Sequence, residues 1–166
     1  TAYRRQRQMC IRDRDKIMKS GLGSASIKEN DLVVSAIVAV NAFGDIYDYE
    51  KGIQIAGPIK NGKMLRTVDF MGKIINDFSG LANKNTTIGI IATNAKFDKT
   101  KLTKIAQMNH DGFARSINPV HTGFDGDTIF SLATNEIEAD INLVGTMAAS
   151  VMSRAIANAI YTSKDR

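Results

Sequence analysis

The chain has 166 residues, of which 43% are apolar and 7% aromatic, a composition that suits one globular domain. No apolar run reaches the roughly 18 residues that a membrane-spanning helix needs, so we expect no membrane partner. Residues 1–14 hold five arginines and one aspartate and contribute +4 of the formal net charge of +5. The remainder therefore carries only +1, which argues against nucleic acid as a partner.

The first 14 residues differ in composition from everything that follows, and they match neither helical nor strand periodicity. We interpret residues 1–14 as a non-native basic tail, of the kind that a translated adapter leaves at the end of a reading frame. A native basic arm is the alternative. A tail of this kind is not part of the folded domain, which we therefore expect to comprise residues 15–166.

The first half of this domain is predicted to contain strands, turns and one helix. Ser20–Ser26 is a run of small residues that predicts a turn leading into a strand. Leu32–Val40 is almost continuously apolar and rich in valine and isoleucine, which predicts a strand buried on both faces. Residues 44–63 carry many turn-forming residues and predict an irregular segment. Met64–Phe78 has helical spacing, and Ser79-Gly80 follows as a stop signal.

The second half predicts two strands and two helices. Ile88–Thr93 and Thr128–Ala133 have the composition of buried strands. Asp98 or Thr100 is expected to cap an amphipathic helix that lies between them. Ala139–Tyr161 is dominated by apolar and small residues and predicts a long helix that covers a sheet. Strands in the middle with helices after them indicate an α/β layered fold.

Asn85 and Thr86 stand directly before the Ile88–Thr93 strand, which is where a self-cleaving N-terminal-nucleophile hydrolase has its scissile bond. If the Asn85–Thr86 bond were cut, Thr86 would become a chain terminus with a free α-amine. That amine has a pKa of roughly 7.7 to 8.0 and can take the hydroxyl proton. The alternative is an ordinary polar turn that enters a buried strand.

Four segments, in order, resemble the DmpA/BapA group of self-processing aminopeptidases, which includes the L-aminopeptidase/D-esterase and β-peptidyl aminopeptidase enzymes. They are residues 18–26 (MKSGLGSAS), 34–45 (VSAIVAVNAFGD), 85–95 (NTTIGIIATNA) and 124–130 (FDGDTIF). The resemblance implies a four-layer α-β-β-α sandwich of the N-terminal-nucleophile type. It also implies a precursor cut into two chains, with residues 15–85 ending the larger chain, residues 86–166 forming the smaller one, and the first half of the precursor missing.

The resemblance assigns a role to each candidate site residue. Thr86 matches the nucleophile, with Thr87 as the competitor one position on. Asn41 matches an asparagine whose side-chain amide donates to the oxyanion; an Asn that closes a turn is the alternative. Asp125 and Asp127 stand where the family carries serine and glutamate. Asp127 can still bind a substrate α-ammonium, whereas an aspartate at 125 puts the hydroxyl relay in doubt. Two close carboxylates would raise the pKa of one, and an exposed turn is the alternative for both.

The implied function is a serine/threonine-type hydrolase that releases N-terminal residues from small peptides, amides or esters through an acyl-enzyme on Thr86. The resemblance implies no metal or organic cofactor, and a homo-oligomer of processed two-chain units. We expect a cytoplasmic protein, with a periplasmic location as the alternative. Two other functions stay open: a catalytically inactive binding or scaffold relative, which the aspartate at 125 favours, and an acyltransferase of the same fold.

The two histidines of the chain suggest a second kind of catalytic site. His110 or His121 could form a Ser/His/Asp triad with Ser20, Ser116 or Ser131. Neither histidine lies in a nucleophile-elbow or metal-ligand pattern. We expect His110 on the polar side of a helix and His121 in a loop near the site.

Overall fold

The structure is a computed structural model and describes residues 20–72 and 85–164. In chain order the strands are β1 (Leu22–Glu29), β2 (Leu32–Ala39), β3 (Asp45–Asp48), β4 (Ile53–Ala56), β5 (Ile59–Lys60), β6 (Lys63–Met64), β7 (Ile88–Ala95), β8 (Ile117–Asn118) and β9 (Thr128–Ile137). Two α-helices lie wholly within these ranges, α1 (Lys99–Ser116) and α2 (Ile141–Lys164).

A four-stranded sheet in the order β1-β2-β7-β9 forms the main layer. β1, β2 and β7 are antiparallel neighbours, whereas β7 and β9 are parallel and joined by a crossover that contains α1. The remaining strands form a small sheet in the order β4-β3-β8 and a short β5-β6 hairpin. This mixed α/β arrangement agrees with the predicted fold class.

Both helices pack on the same side of the main sheet, where they bury the core. The inward residues of β2 are Leu32, Val34, Ala36 and Val38, all almost fully buried. α2 presents a buried stripe at helical spacing: Val144, Ala148, Val151, Met152, Ala155, Ile156, Ala159 and Ile160. Its segment Ile141–Ser163 has 23 residues and contains an 18-residue window with a mean hydropathy of 1.3, enough to cross a membrane by length and composition alone, but 72% of that window is buried within the fold. It therefore serves this domain as a core helix.

The other side of the main sheet carries large apolar side chains that are exposed. Ile37, Ile90 and Phe130 form one row across three neighbouring strands, and they are 40%, 37% and 58% exposed. Ile88 and Leu132 extend the same surface. The prediction that β2 is buried on both faces is therefore wrong, because in the described residues helices cover only one face. In a sandwich with two central sheets, the second sheet would pack here.

Two further expectations differ from the structure. Most of the predicted turn at Ser20–Ser26 belongs to β1, because its small residues allow α2 to approach: a Cβ on Gly23 would overlap the carbonyl oxygen of Ala155. The segment 44–63 is regular, since it contains β3 to β5 and the start of β6. Its turn formers lie at tight turns, where Gly52 and Gly62 have φ of +65° and +72°.

The remaining elements follow the sequence closely. β7 and α2 lie where they are predicted, and Asp98 caps α1 by accepting a 2.8 Å hydrogen bond from the backbone N–H of Lys101. β9 runs four residues past its predicted end. In the described part of the predicted 64–78 helix, a 3₁₀ turn at Thr67–Phe70 is followed by α-helical residues at 71–72. Its continuation from residue 73, the stop at 79–80 and the tail 1–14 lie outside the described residues.

Candidate active site

Three loops meet at one edge of the main sheet. Because β2 is antiparallel to β7 and β9 is parallel to it, the end of β2 and the starts of β7 and β9 lie side by side. The loops are residues 40–44, 85–87 and 119–127. They carry all four candidate site residues, so segments that are far apart in sequence converge as the motifs predict.

The Asn85–Thr86 peptide bond lies at the centre of this edge. The Thr86 hydroxyl donates a 2.6 Å hydrogen bond to the carbonyl oxygen of Asn85. The same oxygen accepts the backbone N–H of Gly126 at 2.9 Å, and the Thr86 N–H donates to the carbonyl oxygen of Asn41 at 2.9 Å. The hydroxyl of Thr86 thus lies against the carbonyl group of the bond that it would attack, and Gly126 polarises that carbonyl.

Gly126 is a functional position that the sequence motif contained but did not explain. A Cβ built on Gly126 would lie 2.9 Å from the Thr86 hydroxyl oxygen, closer than real Cβ atoms come to other heavy atoms. A residue with a side chain would therefore displace the hydroxyl. The signal that could have found this position is a glycine between two polar residues opposite a candidate nucleophile.

Asp125 joins two of the loops. Its carboxylate accepts the Thr122 N–H at 3.1 Å and the Thr122 hydroxyl at 2.6 Å. Its other oxygen accepts the backbone N–H of Phe43 at 3.3 Å, and the rings of Phe43 and Phe124 pack 5.4 Å apart. Asp125 therefore holds the loop of Asn41 against the loop of Gly126. In these three hydrogen bonds its carboxylate acts only as an acceptor.

Asp127 lies against the backbone of Thr87 and has a side chain that is only 4% exposed. One carboxylate oxygen accepts the backbone N–H of Thr87 at 2.9 Å, and the other pairs with His121 Nδ1 at 2.9 Å. His121 Nε2 in turn lies 3.1 Å from Nδ1 of His110, on α1. Both oxygens of Asp127 thus contact groups of the protein, which differs from the predicted contact with a substrate ammonium.

Burial lowers the pKa of His110, and the neighbouring His121 lowers it further, against the opposing influence of Asp127 and Asp111. The serine triads that the histidines suggested do not form with Ser116 or Ser131. Ser116 shares a 2.6 Å hydrogen bond with Ser153, and Ser131 donates to the carbonyl oxygen of Leu102.

Two buried polar atoms on either side of Thr86 have no hydrogen-bond partner within residues 20–72 and 85–164. They are Nδ2 of Asn85 and Oγ1 of Thr87. An unsatisfied buried group of this kind costs about 1–3 kcal/mol of folding free energy. The conformation of residues 85–87 therefore lowers the stability of the fold. Thr87 has its hydroxyl buried and its amide held by Asp127, whereas the hydroxyl of Thr86 contacts the Asn85 carbonyl.

In the part of the chain that the structure describes, no group of three or more His, Cys, Asp or Glu side chains could hold a metal ion. The reactive groups that the described residues bring to this edge are the threonine hydroxyl, the backbone amides, the two carboxylates and the histidine pair.

The chain matches known peptidases and amide hydrolases in sequence. The sequence profile described as Peptidase family S58 matches residues 15–165. An uncharacterized aminopeptidase of Mycobacterium leprae is 37% identical over 126 residues, which are 74% of this chain and 35% of the relative. A 6-aminohexanoate-oligomer endohydrolase of a Kocuria strain is 31% identical over 130 residues, which are 76% of this chain and 36% of the relative.

Solved structures with the same fold are more distant in sequence. The L-aminopeptidase D-Ala-esterase/amidase of Ochrobactrum anthropi, described as a variant of the Ntn hydrolase fold, aligns with a TM-score of 0.57 at 17% identity, over 88% of this chain and 41% of that one. A protein of Pyrococcus horikoshii aligns with a TM-score of 0.52 at 21% identity, over 86% and 40% of the two chains. The predicted fold type is confirmed. The chain spans between 35% and 47% of the length of the curated relatives named aminopeptidase.

Proposed function

The chain belongs to peptidase family S58, and from that premise we propose that it is part of a self-processing amide hydrolase with Thr86 as its N-terminal nucleophile. The observation that carries the proposal is the position of the Thr86 hydroxyl, 2.6 Å from the carbonyl oxygen of Asn85. This contact supports an enzyme over a non-catalytic relative, because a scaffold needs no hydroxyl against that carbonyl.

The first step in the proposal is self-cleavage. The Thr86 hydroxyl oxygen attacks the carbonyl carbon of Asn85, and the negative charge that develops on the carbonyl oxygen is stabilised by the N–H of Gly126. The C–N bond breaks, and the hydroxyl proton passes to the nitrogen of Thr86. The resulting ester is hydrolysed by water, which leaves a carboxylate on Asn85 and a free α-amine on Thr86.

The new amine is then the base for substrate turnover. It takes the proton of its own hydroxyl, whose oxygen attacks the substrate carbonyl. The amine leaving group takes the proton, and water hydrolyses the acyl ester on Thr86. The carbonyl oxygen of Asn41 already accepts the Thr86 peptide N–H at 2.9 Å. After the cut, the same oxygen would hold the new α-amine. The side-chain amide of Asn41 is proposed as the donor to the substrate oxyanion.

The proposed substrates are small peptides, amides or esters with a free amino terminus, in line with the relatives named aminopeptidase. Recognition of the ammonium by Asp127 would require this carboxylate to exchange His121 for the substrate. That requirement favours a second candidate, an endo-acting amidase that needs no ammonium partner. The name of the 6-aminohexanoate-oligomer endohydrolase relatives is consistent with it. Transfer of the acyl group to an amine in place of water would need the same residues.

Self-cleavage tests the proposal most directly. The chain and the longest open reading frame that contains it are purified, and intact mass and N-terminal sequencing locate any cut. We expect a product that begins at Thr86, no cut in Thr86→Ala, and normal cutting in the shape-matched control Thr87→Val. A precursor that stays whole in both forms, or a new terminus at Thr87, would reject the assignment.

A further inference from the structure

We propose that His121, supported by His110, is a positioning residue that holds the nucleophile through Asp127. This inference rests on the proposed function of Thr86 and assigns a role to side chains that the proposed chemistry does not use. The path has three contacts: Thr87 N–H to Asp127 at 2.9 Å, Asp127 to His121 at 2.9 Å, and His121 to His110 at 3.1 Å. It links α1 to the residue next to the nucleophile.

The carboxylate of Asp127 depends on His121 because it is buried. With its side chain 4% exposed, Asp127 has little water to replace a lost partner, and a buried charge without a partner is strongly unfavourable. If His121 were removed, the carboxylate would take up a proton or turn toward solvent. Either change weakens its hydrogen bond to the amide of Thr87.

The amide of Thr87 matters because it shares a peptide group with Thr86. Asp127 holds the nitrogen of this peptide, and the carbonyl oxygen of Thr87 accepts the Thr128 N–H at 3.0 Å. These two contacts fix the backbone beyond the nucleophile, while Asn41 fixes the nitrogen before it. A hydroxyl that must attack a carbonyl carbon loses about 100-fold in rate when it is misplaced by roughly 1 Å.

The rings of His121 and His110 contact each other through one nitrogen atom of each. Nδ1 of His121 lies 2.9 Å from a carboxylate oxygen of Asp127, and its Nε2 lies 3.1 Å from Nδ1 of His110, so one hydrogen bond can join the two rings. Burial lowers the pKa of His110, and the neighbouring His121 lowers it further, which favours the neutral form of the His110 ring. The charged groups that act on His110 are Asp127 and Asp111, and Phe113 stacks on the His121 ring at 6.0 Å.

The backbone of His121 offers a matched pair of variants. Its φ of +54° lies in the left-handed region, where histidine and asparagine are both enriched among residues with a side chain. His121→Asn keeps an N–H donor near the position of Nδ1 but lacks Nε2 and does not titrate. His121→Ala has the same backbone requirement and no donor. If His121 only filled space, the two variants should behave alike, because they differ in whether a donor to Asp127 is present.

Hydrogen exchange tests this series of contacts without a measurement of activity. In a Thr86→Ala background, which keeps the chain whole, NMR hydrogen exchange is measured at the amide of Thr87 and, as an internal control, at Ile91 in the centre of β7. We expect His121→Ala to accelerate exchange at Thr87 by about 10-fold or more relative to Ile91, and His121→Asn to restore protection. Equal exchange at Thr87 in all three proteins would overturn the inference.

Self-cleavage then separates this inference from the proposed function. With Thr86 present, the cutting rate is followed by mass after cell-free synthesis between pH 5 and 8. We expect His121→Ala to slow cutting by about 10- to 100-fold, His121→Asn to recover most of the rate with a flatter pH profile, and His110→Phe to shift the profile. If the unmutated protein never cuts, the proposed function fails while the exchange result stands. If it cuts and His121→Ala cuts equally fast, the positioning role fails alone.

Discussion

Gly126 donates its backbone N–H to the carbonyl oxygen of Asn85 at 2.9 Å, while its missing side chain leaves room for the hydroxyl of Thr86. In the proposed self-cleavage, one residue would therefore provide both the donor for the developing charge and the space that the Thr86 hydroxyl occupies. A backbone donor needs no reorganisation when the charge forms, which is the condition under which such hydrogen bonds accelerate a reaction most.

Gly126→Ala should slow self-cleavage by about 100-fold or more, because the added methyl group would meet the Thr86 hydroxyl and move it from the carbonyl. The measurement is the fraction of cut chain against time, by intact mass. Gly123→Ala is the matched control, since a Cβ there meets no atom within 4 Å. Equal rates for the two variants would show that the hydroxyl is not confined by Gly126.

Asn41→Ala should lower kcat by on the order of 100- to 1000-fold if the side-chain amide donates to the substrate oxyanion. The carbonyl oxygen that accepts the Thr86 N–H belongs to the backbone and remains in the variant. Self-cleavage, which uses Gly126 as its donor in the proposal, should therefore be affected much less than turnover. A loss of kcat below about threefold would leave Asn41 with only its backbone role.

Asp127→Asn should slow hydrolysis of a free-amine substrate and its N-acetylated counterpart to the same extent, because the carboxylate contacts Thr87 and His121. We expect both values of kcat/KM to fall about 10- to 100-fold with their ratio unchanged. A fall confined to the free amine would instead identify Asp127 as the ammonium site. In the unmutated protein, the same ratio separates an aminopeptidase from an endo-acting amidase.

Stability at acid pH should depend on Asp48, the last residue of β3. Burial alone would raise the pKa of this carboxyl, but hydrogen bonds from Lys51 and Tyr161 outweigh burial and hold its pKa below the ordinary value. A lowered pKa stabilises the fold above the ordinary value near 3.8, and this contribution is lost as the pH falls through the lowered value.

We therefore expect the free energy of unfolding to decline below about pH 4, and the decline to be smaller in Asp48→Asn. Tyr161→Phe removes one donor to Asp48 and should cost about 0.5–1.5 kcal/mol at neutral pH. Urea unfolding across the pH range measures both effects. An unchanged slope in Asp48→Asn would show that other carboxyls dominate.

Periodicity in the sequence predicted those elements whose packing is local in pattern. The stripe of α2, the Asp98 cap of α1 and the β-branched run of β7 each identify their element without knowledge of the partner. The start of β1 was predicted as a turn, because small residues also form turns and Gly23 serves the close approach of α2, a contact more than 100 residues away in sequence.

The candidate site was predictable as a set of residues but not as a set of contacts. The motifs contain Asn41, Thr86, Asp125 and Asp127, and the order of the strands brings them to one edge. Nothing in the sequence pairs His121 with Asp127, because a loop residue in the left-handed conformation makes that contact. The donor role of Gly126 was equally hidden, since it depends on a backbone group that every residue but proline has.

The position of Thr86 ahead of β7 also determines what the cut would do to folding. β7 lies between β2 on one side and β9 on the other, and α2 packs on β1 and β2. After cleavage, the β2–β7 ladder would join two separate chains, and the last helix of the smaller chain would cover strands of the larger one. Unfolding would change from a unimolecular to a bimolecular equilibrium, so the melting temperature would rise with protein concentration in the cut protein and stay constant in Thr86→Ala.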